Sequence, residues 1–101
     1  MALVGEITAY HERRGDPEAL LAAFREALVL VPEVETEHGG LRWWHAFTDE
    51  RELAMFARAR GEGDREWSYV KTRGERLLQA IKGRNAAIMV DAAGERPMAF
   101  T

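Results

Sequence analysis

The sequence predicts an α+β fold, a single mixed five-stranded sheet with helices packed on it, in the order ααββαβαββ. The length of 101 residues corresponds to one domain, and helical and strand periodicities alternate along it. Helices lie between several of the predicted strands, which favours some parallel pairing. A turn signal at Gly39-Gly40 joins two other strands directly, which favours antiparallel pairing.

Two amphipathic helices are predicted at the start of the chain. The first runs from Leu3 to Arg14 with Leu3 and Ile7 on one face, and Gly15 ends it. An apolar stripe of this kind has to dock on something. The second begins at Asp16-Pro17, because Asp16 can cap the helix and a proline fits the first turn.

Two strands follow the helices, and the first of them is made of two segments. The apolar run Leu28-Val29-Leu30-Val31 predicts a strand buried on both faces. Pro32 cannot donate a ladder hydrogen bond, which places this end at a sheet edge or a bulge. The segments Val34–Glu37 and Leu41–Phe47 form the two arms of a hairpin around Gly39-Gly40.

Strand alternation sorts the hairpin side chains onto two faces. One predicted face is acidic, and Arg42 can pair across it with Glu35 or Glu37; the other face is apolar. Trp44 places a large indole on the acidic face. Either a helix or arginine side chains cover this indole, or Trp44 is a contact residue for a partner. The acidic set is Glu33, Glu35, Glu37, Arg42, Trp44 and Ala46, and the apolar set is Leu30, Pro32, Val34, Leu41, Trp43, His45 and Phe47.

The second half of the chain predicts two more helices and three more strands. Thr48 or Asp49 caps the third helix, and if Asp49 is the cap, Glu52 completes a capping box. Thr72 and Glu75 form a second capping box for a helix that ends at Gly83. The predicted strands are Trp67–Lys71, Ala86–Val90 and Met98–Phe100.

Composition excludes several classes of function. The formal net charge of −3 argues against a nucleic-acid partner, since phosphates call for a concentrated basic surface. The chain has no cysteine, which excludes disulfides and thiolate chemistry and fits a reducing cytoplasm. It has neither a secretory leader nor an apolar run long enough for a membrane span, so we expect a cytoplasmic protein without membrane contact.

The residues with catalytic potential do not form a recognised motif. Glu33, Glu35 and Glu37 are spaced too widely along a strand to converge on one metal ion. His45 lies on the apolar face, where a core histidine with one hydrogen bond is expected. Ser68 is the only serine in the chain, and no nucleophile motif surrounds it. We therefore expect no enzymatic activity, no cofactor and no metal.

Several segments carry a family resemblance: Leu28-Val29-Leu30-Val31-Pro32, the Ala46-Phe47-Thr48 step into a capped helix, the strand ending in Val70, the helix Glu75–Ile81, and the strand Ala87–Asp91. Through them, roughly residues 18 to 101 resemble the N-terminal domain of the bacterial SseB family. The resemblance implies one domain over residues 1–101, with residues 1–15 as an extra amphipathic helix. It also implies no established catalytic residue.

The predicted function is a non-enzymatic protein-interaction or regulatory domain. We expect a protein partner, with a second copy of the chain as one choice. The first helix and the hairpin supply the expected contacts, which are Leu3, Ile7, Trp43, Trp44 and Trp67. The alternative is a small-ligand-binding or enzymatic domain with its site near Trp44, Glu35 and Arg42.

Overall fold

The computed structural model describes residues 3–64 and 67–101. Within these ranges it is an α+β fold of four helices and six strands, and none of the helices is long and apolar enough to cross a membrane. The helices are α1 (Leu3–His11), α2 (Pro17–Glu26), α3 (Glu50–Ala59) and α4 (Gly74–Ile81). The strands are β1 (Leu28–Pro32), β2 (Glu35–His38), β3 (Leu41–Ala46), β4 (Tyr69–Arg73), β5 (Ala86–Val90) and β6 (Met98–Phe100).

The strands form two sheets, so the prediction of a single five-stranded sheet is wrong. One sheet has four strands in the order β2-β3-β5-β6, and the other pairs β1 with β4. The β3–β5 pair is parallel, and every other strand pair is antiparallel. The mixed pairing that the connections predict is therefore present.

A bend between β1 and β2 divides the predicted first strand. Leu30 bridges to Phe47, and Glu35 pairs with Trp44, so five residue steps on one side face three on the other. Two residues are thus in excess, as in a special bulge, since an ordinary bulge has only one extra residue. The bend is closed by a hydrogen bond of 2.8 Å from the N–H of Val34 to the carbonyl of Pro32. The bulge favoured by Pro32 is the physical reason that one predicted strand becomes two.

Both faces of the four-stranded sheet are covered. Helices α1, α2 and α4 cover one face and enclose the larger apolar cluster, in which Phe24 and Phe100 stack at 4.2 Å between ring centroids. Helix α3 covers the other face through Leu53 and Phe56, which pack on Phe47. The larger cluster contains Leu3, Ile7, Leu20, Phe24, Val29, Ala46, Leu77, Ile81, Ile88, Val90 and Phe100.

The hairpin face that alternation predicted to be acidic is therefore only partly so. Glu33, Glu35 and Glu37 are exposed, but Ala46 is fully buried and Trp44 packs against the larger cluster. The side chains alternate as predicted, but helices cover the inner half of this face.

Two of the three predicted helix caps are present in the structure. Asp16 accepts a hydrogen bond of 3.0 Å from the N–H of Glu18, and Asp49 accepts one of 2.8 Å from the N–H of Glu52. The predicted capping box at Thr72 is wrong, because Thr72 lies in β4 opposite Val29. Helix α4 instead begins directly after the strand, without a side-chain cap.

Candidate functional site

The predicted contact residues of the first helix pack in the core of their own chain. Leu3 is 6% exposed and Ile7 is 3% exposed, and both pack in the larger cluster. Their side chains are therefore not offered to a partner at the surface of the single chain.

The three tryptophans are each half-buried. Trp44 packs against the larger cluster. Trp43 donates a hydrogen bond of 3.2 Å from its ring nitrogen to the carbonyl of His38. Trp67 packs edge-on against Phe56, with 6.1 Å between ring centroids, in the smaller cluster. Much of each indole thus contributes to packing within the chain.

His45 is a core residue with one hydrogen bond, as the sequence predicts. It is 6% exposed, its Nε2 lies 3.0 Å from the hydroxyl of Thr36, and its ring packs at 4.8 Å from that of Phe56. Burial lowers the pKa of His45, and the nearby charge of Arg60 lowers it further. The ring is therefore held in the neutral form.

The residues of the alternative ligand site do come together. Glu35, Arg42 and Trp44 line one groove of about 310 Å³, which is also lined by Arg84 and Asn85. Arg42 and Glu35 form an ion pair at 3.5 Å, with side chains 68% and 51% exposed, so solvent screens most of its energy.

A second crevice, which the sequence does not predict, lies where β3 and β5 end. Because these strands are parallel, Thr48 and Asp91 reach the same edge of the sheet. Asp91 is 9% exposed and has a positive φ of 53°. The N–H and hydroxyl of Thr48 donate hydrogen bonds of 2.9 and 2.7 Å to the two carboxylate oxygens of Asp91.

Glu52 faces Asp91 across this crevice, which holds about 320 Å³ and is also lined by Arg51 and Arg96. Its Oε1 is buried and accepts no hydrogen bond from the described residues. Burial raises the pKa of Glu52, and the carboxylates of Asp91 and Asp49 raise it further. Burial also raises the pKa of Asp91, against the opposing effect of the Thr48 hydrogen bonds. The carboxyl groups of Glu52 and Asp91 thus both ionise less readily than free carboxyls. In the described parts of the chain no group of side chains is arranged to bind a metal ion.

The backbone of β1 shows which groups of the two-stranded sheet are already paired. Leu30 donates to the carbonyl of Phe47 at 2.8 Å and accepts from its N–H at 2.9 Å, so both backbone groups of Leu30 face β3. Alternate residues of an antiparallel strand face opposite neighbours. The hydrogen bonds from β1 to β4 therefore come from Val29 and Val31.

The same reasoning divides β4 into inward and outward residues. Val70 and Thr72 lie opposite Val31 and Val29, and so their backbone groups face β1. The N–H and C=O groups of Tyr69 and Lys71, and the N–H of Arg73, consequently point away from the sheet. The C=O of Arg73, the N-cap residue of α4, belongs to the first turn of that helix. No described strand pairs with this side of β4, which is an open edge.

The outer edge of β2 likewise pairs with none of the described strands, but its charges oppose the addition of another strand. The N–H of Arg42 donates to Asn85 at 3.1 Å toward β5, so the alternate residues of β3 face β2. This leaves the backbone groups of Glu35 and Glu37 pointing outward. Two such edges brought together would place carboxylates opposite one another, a common protection of sheet edges.

The chain was compared with known protein families, with curated proteins and with solved structures, and none of these comparisons found a match. The resemblance to SseB N-terminal domains thus stays a prediction. Sequence reasoning missed the β4 edge, although the position of an apolar Val70 beside Lys71 in a predicted strand was a usable signal.

Proposed function

We propose that the chain is a non-enzymatic protein-interaction domain that binds an extended segment of a protein partner along the open edge of β4. The outward N–H and C=O groups of Tyr69 and Lys71, together with the outward N–H of Arg73, carry this proposal. A partner strand placed there would extend the β1–β4 sheet with main-chain hydrogen bonds, the usual source of affinity in strand addition.

The side chains along the edge also support strand addition. Val70 is 63% exposed, and a partner side chain opposite it would remove apolar surface from water. Lys71 is exposed and forms no ion pair within the described parts of the chain. The preferred partner strand therefore carries an apolar residue opposite Val70 and no positive charge opposite Lys71.

Substitution of Lys71 separates backbone pairing from charge. Lys71→Pro removes an outward N–H but leaves the inward bonds of Val70 and Thr72 to β1 in place. Lys71→Gln keeps the N–H and removes only the charge. The probe is a synthetic peptide of about seven residues that alternates valine with glutamate, long enough to span the strand.

Binding is followed by chemical-shift changes of the amides in residues 69–73. We expect Lys71→Pro to weaken binding of the peptide by tenfold or more, roughly the net worth of one hydrogen bond. Lys71→Gln should weaken it only a few-fold, as about 1 kcal/mol or less is typical of an exposed charge. Binding that proline leaves unchanged, or a peptide that shifts residues elsewhere, would refute strand addition at β4.

A second candidate function is binding of a small ligand in the hairpin groove. We propose it because Glu35, Arg42 and Trp44 line this groove together with Arg84 and Asn85, and offer both signs of charge beside an indole. A zwitterion such as a free amino acid fits these charges. In a thermal-shift screen, a ligand at a hundred times its Kd should add about 2.7 kcal/mol of stability. A response that persists in Trp44→Ala would exclude this groove.

A further inference from the structure

We propose that the occupant of the β4 edge is β4 of a second copy of this chain, paired antiparallel about a two-fold axis through Val70. The inference rests on the proposed function, since it names the partner of the same edge. Contacts related by a two-fold axis are the commonest in homo-oligomers, and they close the open edge on both copies.

The charges on the edge select one register for this pairing. Outward residues of one strand must pair with outward residues of the other. Lys71 opposite Lys71 of the second copy, or opposite Arg73 of the second copy, places like charges together, which destabilises the sheet. Pairing centred on Tyr69 uses only the first residue of the strand. The remaining register sets Tyr69 opposite Lys71 of the second copy, on both sides of the axis.

This register buries the most exposed large apolar side chain of the edge. With Tyr69 and Lys71 in the hydrogen-bonded positions, Val70 lies opposite Val70 of the second copy in the closer, non-hydrogen-bonded position. In the single chain Val70 is 63% exposed, more than Val4 at 57% or Leu28 at 59%. A contact on the axis accounts for an apolar residue at this point.

The charge of Lys71 also finds a partner across the axis. Tyr69 donates a hydrogen bond of 2.7 Å to Glu50, which places an exposed carboxylate beside the tyrosine ring. Lys71 of the second copy would lie next to that ring and within reach of the carboxylate. Its ammonium group thereby gains the opposite charge that it lacks in the single chain.

The absence of cysteine from the chain allows a clean cross-linking test. In Val70→Cys the two sulfurs would face each other with Cα atoms about 4.5 Å apart, inside the range of a disulfide. Val4→Cys and Leu28→Cys are matched controls of similar exposure. We expect the Val70→Cys dimer to form on mild oxidation at least about tenfold faster than either control, because pairing raises the local thiol concentration. Equal rates for all three variants would overturn the proposal.

Light scattering supplies a measurement without cross-linking. The mass of the unmodified chain should rise from 11.4 kDa toward twice that value with concentration. Val70→Lys, which sets two ammonium groups on the axis, should stay at the monomer mass, and Val70→Ile should not. A chain that remains at 11.4 kDa while the valine–glutamate peptide still binds β4 refutes self-pairing and leaves the proposed function standing. If the chain stays at the monomer mass and the peptide does not bind β4, both self-pairing and the proposed function are refuted.

Discussion

The passage from β4 to α4 depends on the absence of a side chain at Gly74. A methyl group there would lie 2.8 Å from the carbonyl carbon of Phe24 and 3.0 Å from a carbon of its ring, where ordinary contacts are 3.4–4 Å. Phe24 is fully buried on α2, so neither group can move freely. Overpacking of this kind costs about 3 kcal/mol, and the better helix propensity of alanine returns about 1 kcal/mol. Gly74→Ala should therefore lower the free energy of unfolding by about 2 kcal/mol or more.

Urea unfolding, followed by tryptophan fluorescence and circular dichroism, measures this loss. Gly83→Ala is the control, since a methyl group at Gly83 meets open space and only its φ of 72° opposes the substitution. That cost is about 1 kcal/mol. If Gly74→Ala is no less stable than Gly83→Ala, the close approach of α2 to the start of α4 is not what fixes a glycine there.

Three further outcomes test the packing, the crevice and the edge. Phe24→Ala should cost about 4 kcal/mol, because the ring is fully buried; a loss below 2 kcal/mol by urea unfolding would contradict its place in the core. Because the pKa of Asp91 is raised, the folded chain keeps the carboxyl proton of Asp91 to a higher pH than the unfolded chain does. The protonated carboxyl therefore contributes fully to stability below about pH 4, and this contribution is lost as the pH rises through the pKa of the folded chain. Relative to Asp91→Asn, the unmodified chain should therefore lose stability with rising pH, and a gain would reverse the sign of the shift. In the monomer at low concentration, hydrogen exchange should protect the amides of Val70 and Thr72 and leave Lys71 fast; equal protection of the three would contradict the assigned strand directions.

Local signals in the sequence predict much of the fold. Asp16 starts its helix as predicted, and of the two predicted caps Thr48 and Asp49 it is Asp49 that starts α3. Gly83 follows the last helix with a positive φ of 72°. Alternation across the hairpin places Arg42 opposite Glu37 and within ion-pair distance of Glu35. These features depend on residues close in sequence, where backbone preference and periodicity act directly.

The missed features depend on residues distant in sequence. Trp44 could not be placed without knowing that helices cover both faces of the sheet. Thr72 has the spacing of a helix cap, but pairing with Val29 makes it part of a strand. Asp91 and Thr48 are 43 residues apart, and only the parallel pairing of β3 with β5 brings them together. The open edge of β4 likewise depends on a distant contact, because the hydrogen bonds of Leu30 to Phe47 determine which residues of β1 face β4.

The bend between β1 and β2 places this fold close to another topology. Removal of Glu33 and Val34 would bring Glu35 into step with the Leu30–Phe47 bridge, and the two short strands would become one. That strand would lie between β4 and β3, and the two sheets would fuse into one sheet of five strands. A deletion of two residues thus separates this architecture from a single-sheet topology, in which the β4 edge would be one rim of the larger sheet.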